Sequence, residues 1–440
     1  MTRRTTTAAA VAGLLLVSLP STAQAAEGRA DLGRQTLPAN DGWAASGPGT
    51  TGGSAADDAH VFTVDSRAGL VAALGGNNAT NKTNAIPKII YVDGDIDGFE
   101  ADDGTLLECA DLADPAYSLD AFLTAYAPAT WGYVNPSGAL ESARARSVTR
   151  QTAQTQINIG PNTTIVGRPG ATVSGLTLMV DGASNTIIRN LTITDARDCF
   201  PAWSPTDGAL GNWNSNYDLI SVRRSENVWV DHNTFSDGDN LDTDQPIHSG
   251  RPYQVHDGAL DITHTSSLVT ASWNRFTEHD KTMLIGSSNT VGPDVGRLKV
   301  TIHNNLFDGS IQRLPRVRFG QVDVYNNYYR SSGETFDYAW GVGVQSAIYA
   351  ENNYFRLYDD LRPDAIIHDW GGTAITEIGT VTRTGNRAEV ATSALDAYNA
   401  THDPDLGSDA GWTPVLRAGP VLPATDVPGV VGSYAGAGRI

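Results

Sequence analysis

Six times between residues 187 and 355 the sequence runs through β-branched or small residues to an asparagine, with an aromatic two positions later in the fuller copies. Val228-Trp229-Val230-Asp231-His232-Asn233-Thr234-Phe235 and Val300-Thr301-Ile302-His303-Asn304-Asn305-Leu306-Phe307 are two of them. The asparagines Asn190, Asn233, Asn274, Asn305, Asn327 and Asn353 stand 43, 41, 31, 22 and 26 residues apart. A short strand repeated in this way cannot bury its apolar side alone and must stack on its neighbours, which is the signature of a solenoid. The shortest interval then measures about one coil, and the longer ones hold insertions. Stacked asparagines satisfy one another's amide donors and acceptors where each strand must bend, and the aromatics stack inside the coil or on its wall. A propeller or sandwich would show tight two-residue turns between paired strands, and these are scarce here. The expected fold is therefore all-β, a parallel β-helix over 61–440. Its long loop insertions between positions 190 and 274 are expected to form the binding cleft.

Ahead of the repeats the pattern predicts a strand over 88–92 and helices over 118–126 and 137–154, the second presenting Arg144, Arg146 and Arg150 on a solvated face. At the start, Arg3 and Arg4 precede an apolar run from Ala8 to Leu19, then Pro20 and Ala23-Gln24-Ala25. That order reads as a secretory signal over 1–25. The run, about a dozen residues, is too short to span a bilayer. Residues 26–60, rich in Gly, Ser, Thr and Ala from Ser46 to Ala56, are expected to be a flexible segment. In a secreted, extracellular chain Cys109 and Cys199, the only two cysteines, are expected to oxidise to one disulfide in preference to remaining free thiols.

The chain carries 30 basic and 49 acidic residues. That balance speaks against nucleic acid or an anionic membrane as partner. An anionic ligand would be repelled by the average surface, so any site for one must be locally basic or bridged by metal.

Carboxylates and cations gather between 218 and 318. Asp218 precedes a predicted strand, and Asp257 and Asp261 bracket Asp257-Gly258-Ala259-Leu260-Asp261-Ile262. In an extended strand four residues span about 13 Å, whereas Ca²⁺ holds oxygens at about 2.3–2.6 Å, so the two side chains share one ion only if the chain bends, for which Gly258 is suited. Taken alone, two aspartates at this spacing are ordinary, and a solvated surface is the favoured reading of them. The acidic run at Asp237, Asp239, Asp242 and Asp244 lacks the glutamate of an EF-hand and reads as a polar loop. Lys281 follows Glu278-His279-Asp280, and Arg313-Leu314-Pro315-Arg316-Val317-Arg318 sets three guanidinium groups together. Alternation places Arg316 and Arg318 on one face, and Pro315 breaks the parity so that Arg313 points elsewhere. Such a cluster in an acidic protein suits a carboxylate-rich ligand, since arginine binds carboxylates bidentately; structural salt bridges are the plainer alternative.

These segments resemble the bacterial and plant pectate lyase family, which includes the extracellular Bacillus enzymes. The resemblance rests on Val228-Trp229-Val230-Asp231-His232, Asp257-Gly258-Ala259-Leu260-Asp261-Ile262, His279-Asp280-Lys281 and Arg313-Leu314-Pro315-Arg316-Val317-Arg318-Phe319-Gly320, in that order. Thr163-Thr164-Ile165-Val166-Gly167 and Gly211-Asn212-Trp213-Asn214-Ser215-Asn216-Tyr217-Asp218 also fit. The resemblance implies a single-stranded right-handed parallel β-helix that acts as a monomer on polygalacturonate by calcium-dependent elimination. It implies Asp218, Asp257 and Asp261 as Ca²⁺ ligands, Arg313 as catalytic base, and Lys281 and Arg318 as substrate-binding residues. Asp231 and His232 would support the site structurally. Some relatives carry a further acidic ligand where Asn216 stands here. An arginine acts as a base only where surrounding positive charge favours loss of a proton that guanidinium ordinarily keeps to above about pH 12, so an alkaline optimum is expected. The rivals are a metal-independent lyase acting on esterified pectin, a hydrolase with paired carboxylates flanking the bond, and a non-catalytic binder of polygalacturonate.

Overall fold

The computed structural model describes residues 31–331 and 333–440; the signal reading over 1–25 and the first residues of the following segment lie outside them. From Val61 the chain coils through three stacks of parallel strands. One stack of ten includes Glu226–Asp231, Ser267–Ser272, Lys299–His303, Gln321–Tyr325 and Ala347–Glu351, the strands that lead into the asparagines. Each then turns into a short strand of a second stack, such as Arg275–Thr277, Leu306–Asp308 and Tyr328–Arg330. The third stack, of eight strands, runs from Gln156–Asn158 through Thr177–Asp181, Ile220–Arg223, Leu260–Thr263, Leu284–Ile285, Arg316–Val317 and Trp340–Gly343 to Ile367–Trp370. Within these stacks the register is one coil to the next, as in Val228↔Val269 and Val269↔Val300.

The asparagine ladder forms, with one correction. Asn233 Nδ2 donates to Asn274 Oδ1 at 3.1 Å, Asn274 to Asn305 at 3.0 Å, Asn305 to Asn327 at 3.0 Å and Asn327 to Asn353 at 3.1 Å. The same oxygens accept backbone N–H groups from the coil before, so amides with no access to water are satisfied along the turn. Asn190 is not a rung: Leu191 N donates to Asn233 Oδ1 instead. Asn190 occupies the preceding position, where its φ of 58° matches His232, Asn304, Asn326 and Asn352 on later coils. Asparagine tolerates that left-handed backbone better than most residues, which explains its presence one position early.

Behind the ladder, Phe235, Phe276, Phe307, Tyr329 and Phe355 stack with ring centroids 4.8, 5.0, 4.8 and 4.2 Å apart. All five are fully buried in the coil interior with the Val, Ile and Leu of every sheet. The open first coil would expose that interior, and helix Arg67–Leu74 covers it with Leu70 and Leu74; Ser66 caps the helix by accepting from Gly69 N.

The leading segment is not loose where it is described. Residues 33–60 lie along the outer face of the first stack: Trp43 N and Ala44 N donate to Thr301 and Thr270 hydroxyls at 3.0 and 3.1 Å, and Gly53 N to Thr164 at 2.8 Å. The small residues that suggested flexibility let the backbone approach threonines on the strands: a Cβ on Gly52 would fall 2.3 Å from Thr164 Oγ1. Helix Ala139–Thr155 is found as expected, with Arg146 and Arg150 exposed but Arg144 turned inward. Arg144 is buried, paired with Glu141 at 2.7 Å and donating to Phe200 O, while Arg146 and Arg150 turn to Asp114. Cys109 and Cys199 are joined by a disulfide with Cα atoms 5.4 Å apart, tying the region before this helix to the start of the first long insertion.

If the ladder sets the coil, Asn305→Ala strands buried partners on both sides and should lower unfolding free energy by roughly 3 kcal/mol in denaturant melts. Asn190→Ala should cost clearly less, and equal losses would deny the ladder its role.

Candidate active site

The third stack brings the predicted residues to one stretch of its outer face. Asp218 stands just before Ile220–Arg223, and its Oδ1 accepts from Gly258 N on the next coil at 3.0 Å. Gly258 is in register with Lys281 on the coil after that, and Lys281 with Gln312 on the following one. Further along, Leu284 is in register with Arg316. Three residues separate Lys281 from Leu284 but four separate Gln312 from Arg316, so the Arg313 coil carries one residue too many. It is absorbed at Arg313, whose φ of 59° is left-handed. A bulge of this kind re-aims a side chain, and it sets Arg313 apart from the alternation that governs Arg316 and Arg318. Those two point outward on either side of the buried Val317. Arg316 lies 3.9 Å over the Trp370 ring. Arg318 donates to Asn289 Oδ1 at 2.6 Å and to Gly286 O at 2.8 Å, held by the loop after Leu284–Ile285. Burial first, then the neighbouring guanidiniums of Arg316 and Arg313, push Arg318 down to about 10.

The carboxylates are crowded. Burial first, then the charge of Asp257, push Asp218 up to about 7. Burial, then Asp218 and Asp257, raise Asp261 well above the usual carboxylate range. Gly258 is where the two side chains meet: a Cβ there would fall 2.2 Å from Asp261 Oδ1 and 3.0 Å from Asp218 Oδ1. Its backbone is not left-handed, so the expectation that glycine serves here to bend the chain gives way to a simpler role, the absence of a side chain. Asp257 lies beside this pair and engages Lys281 Nζ at 3.5 Å. Among the described residues no three acidic or imidazole groups close into a ready-made metal cage. What the site offers is a converging pair of hard oxygen donors with a third carboxylate adjacent, a set that suits calcium by chemistry and whose mutual repulsion a divalent cation would relieve. Asn216 adds no carboxylate; its N–H donates to Asp198.

Several residues that hold the site were not singled out in the sequence. Asp198 is buried, accepts from Phe200 N and Asn216 N, and is pushed up by burial to about 6. It fastens the disulfide region to the approach of Asp218. Asp237 and Asp242, read as part of a polar loop, are instead turned inward: Asp237 binds His279 Nδ1, and His256 sits among Asp195, Asp237 and Asp242. Burial alone would lower His256, but hydrogen bonds to Asp195 and Asp242 outweigh it and raise it to about 10. His279 Nε2 donates to Asp257 O at 2.9 Å, so this charged cluster braces the backbone of Asp257. The spacing of His256 next to Asp257, and of His279 two residues before Lys281, was the available signal. Asp231 and His232 lie elsewhere, on the first stack, where Asp231 pairs with Arg189 at 2.7 Å and His232 at 2.8 Å.

Known proteins share this architecture. The family model described as pectate lyase matches residues 124–411. A pectate lyase of Bacillus subtilis is 44% identical over 93% of this chain and 95% of its own length, and pectate lyase E of Dickeya chrysanthemi is 36% identical over 80% and 74%. The structure of a thermostable pectate lyase superposes with a TM-score of 0.91 at 44% identity, covering 93% of this chain and all of that one. A pectate lyase bound to a hexasaccharide gives 0.86 at the same identity and coverage. By these likenesses the chain belongs to the pectate lyase family of polysaccharide lyases.

Proposed function

We propose that this chain is a secreted, monomeric, calcium-dependent pectate lyase that cleaves polygalacturonate by β-elimination. The observation that carries the reading is the pair of buried carboxylates facing each other over Gly258, with Lys281, Arg313 and Arg318 delivered beside them by neighbouring coils. Among the described residues no helix is long and apolar enough to cross a membrane.

The reaction removes the proton on C5, next to the uronate carboxylate, forms a double bond between C4 and C5, and sends the C4–O electron pair out with the leaving sugar. Lys281 and Arg318 bind and orient the uronate carboxylate, and their charge stabilises the carbanion-like transition state. Arg313, set apart by its bulge, takes the C5 proton. Asp218, Asp257 and Asp261 would hold a calcium ion, which would supply Lewis-acid charge. A pectate lyase of 44% identity has been solved bound to a hexasaccharide, which supports an oligosaccharide ligand here.

Two outcomes follow. The folded state keeps protons on Asp218 that the unfolded chain releases near its ordinary value of 3.8, so as pH rises from there to about 7 ionisation of the pair costs stability. A bound cation offsets this cost, so calcium should raise the melting temperature more at about pH 8 than at about pH 5; a calcium shift independent of pH would contradict the site. In the second experiment, appearance of the unsaturated product from polygalacturonate should require calcium, be lost in EDTA and increase into the alkaline range. Arg313→Lys should abolish turnover and leave calcium affinity nearly unchanged. Full activity on esterified pectin in EDTA, a saturated product, an optimum near about pH 5, or turnover by Arg313→Lys would each overturn the reading.

A further inference from the structure

A second basic feature lies on another sheet. In the second stack Asp308 is in register with Arg330, Arg330 with Arg356, and Arg356 with Arg383. Three guanidinium-bearing residues therefore follow one another across adjacent parallel strands, spaced at about 4.8 Å. Like charges placed directly opposite in a sheet destabilise it unless something of opposite sign lies against them. Asp308 is already shared between Arg275 at 2.7 Å and Arg330 at 2.6 Å. Arg356 is exposed and, among the described residues, has no ion-pair or hydrogen-bond partner for its guanidinium. Arg383 has a buried Nε with none.

The first two arginines of the ladder, Arg330 and Arg356, line an open groove of about 480 Å³ together with Asp308, Tyr358, Asp359 and Asn386. Tyr358, 48% exposed, and Asn386 line it as well. We propose that this groove is a second binding site, for a polyuronate segment, outside the cleft that carries Arg313. A single small anion would be satisfied by one arginine. Arg330 and Arg356 at strand spacing, with Arg356 free of a partner among the described residues and with a tyrosine and an amide beside them, match a chain of sugar rings bearing carboxylates at regular intervals. Two sites on one molecule would raise retention on long polymer by effective concentration without changing either site alone. The proposal rests on the lyase reading for its choice of ligand.

The test is affinity electrophoresis of the full chain carrying Arg313→Lys in gels containing polygalacturonate, with and without Arg356→Gln, and with Arg356→Glu and Tyr358→Ala as further variants. Arg356→Gln should weaken retention roughly threefold to fivefold, within the range of exposed ion pairs, and Arg356→Glu more, at unchanged melting temperature. Unchanged retention in both Arg356 variants would overturn the site. So would an equal loss in parallel gels containing dextran sulfate, which would make it a general anion patch. Product formation by the wild-type chain reports separately on the lyase reading, so failure of one is distinguishable from failure of the other.

Discussion

Everything the active site does depends on register. In this coil the position of a residue is set by the strand it pairs with one turn earlier, and the buried asparagine ladder with the aromatic stack behind it keeps every turn in step. Asp218, Gly258, Lys281 and Arg313 lie on four successive coils, up to 95 residues apart in sequence, and become neighbours only because those coils do not slip. A slip of one residue would turn each of them to the opposite face. The single departure, the extra residue at Arg313, sits where a side chain must leave the common pattern.

That geometry solves an electrostatic problem posed by composition. An acidic protein that handles a polyanion needs a patch of opposite sign, and here it is built from both kinds of charge. Burial, with the crowding of Arg316 and Arg313, pulls Arg318 down to about 10, while burial and proximity push Asp218 up to about 7. Each set is uncomfortable alone. On the proposed reading a divalent cation would relieve the carboxylates and a uronate carboxylate the arginines, so binding energy would be drawn from strain already present in the free protein.

The coil itself was legible because its signal repeats: five of six asparagines and all five aromatics take the places expected of them. Asn190 was misplaced by one residue because asparagine suits both the rung and the left-handed position before it, and sequence alone does not separate the two. Residues 33–60 misled for a related reason, since glycine and threonine mark loose chain and close backbone packing alike. The site residues stood out as a set through the family resemblance, and the fold brings them to one face. The bracing cluster of His256, His279, Asp195, Asp237 and Asp242 did not stand out, because its members come from separate coils and each alone reads as an ordinary polar residue. Gly258 was noticed for its flexibility, whereas what matters is the space left by its missing side chain.

Gly258 therefore offers the most direct measurement. Calcium binding to the full chain, followed by isothermal titration, should weaken by at least about tenfold in Gly258→Ala, because the added methyl would occupy the place where the Asp218 and Asp261 oxygens converge, 2.2 Å from the nearer. Gly432→Ala, at an exposed glycine with open space around it and no left-handed backbone, should bind as the wild type does. Calcium affinity unchanged in Gly258→Ala would contradict the claim that these two carboxylates form the cation site.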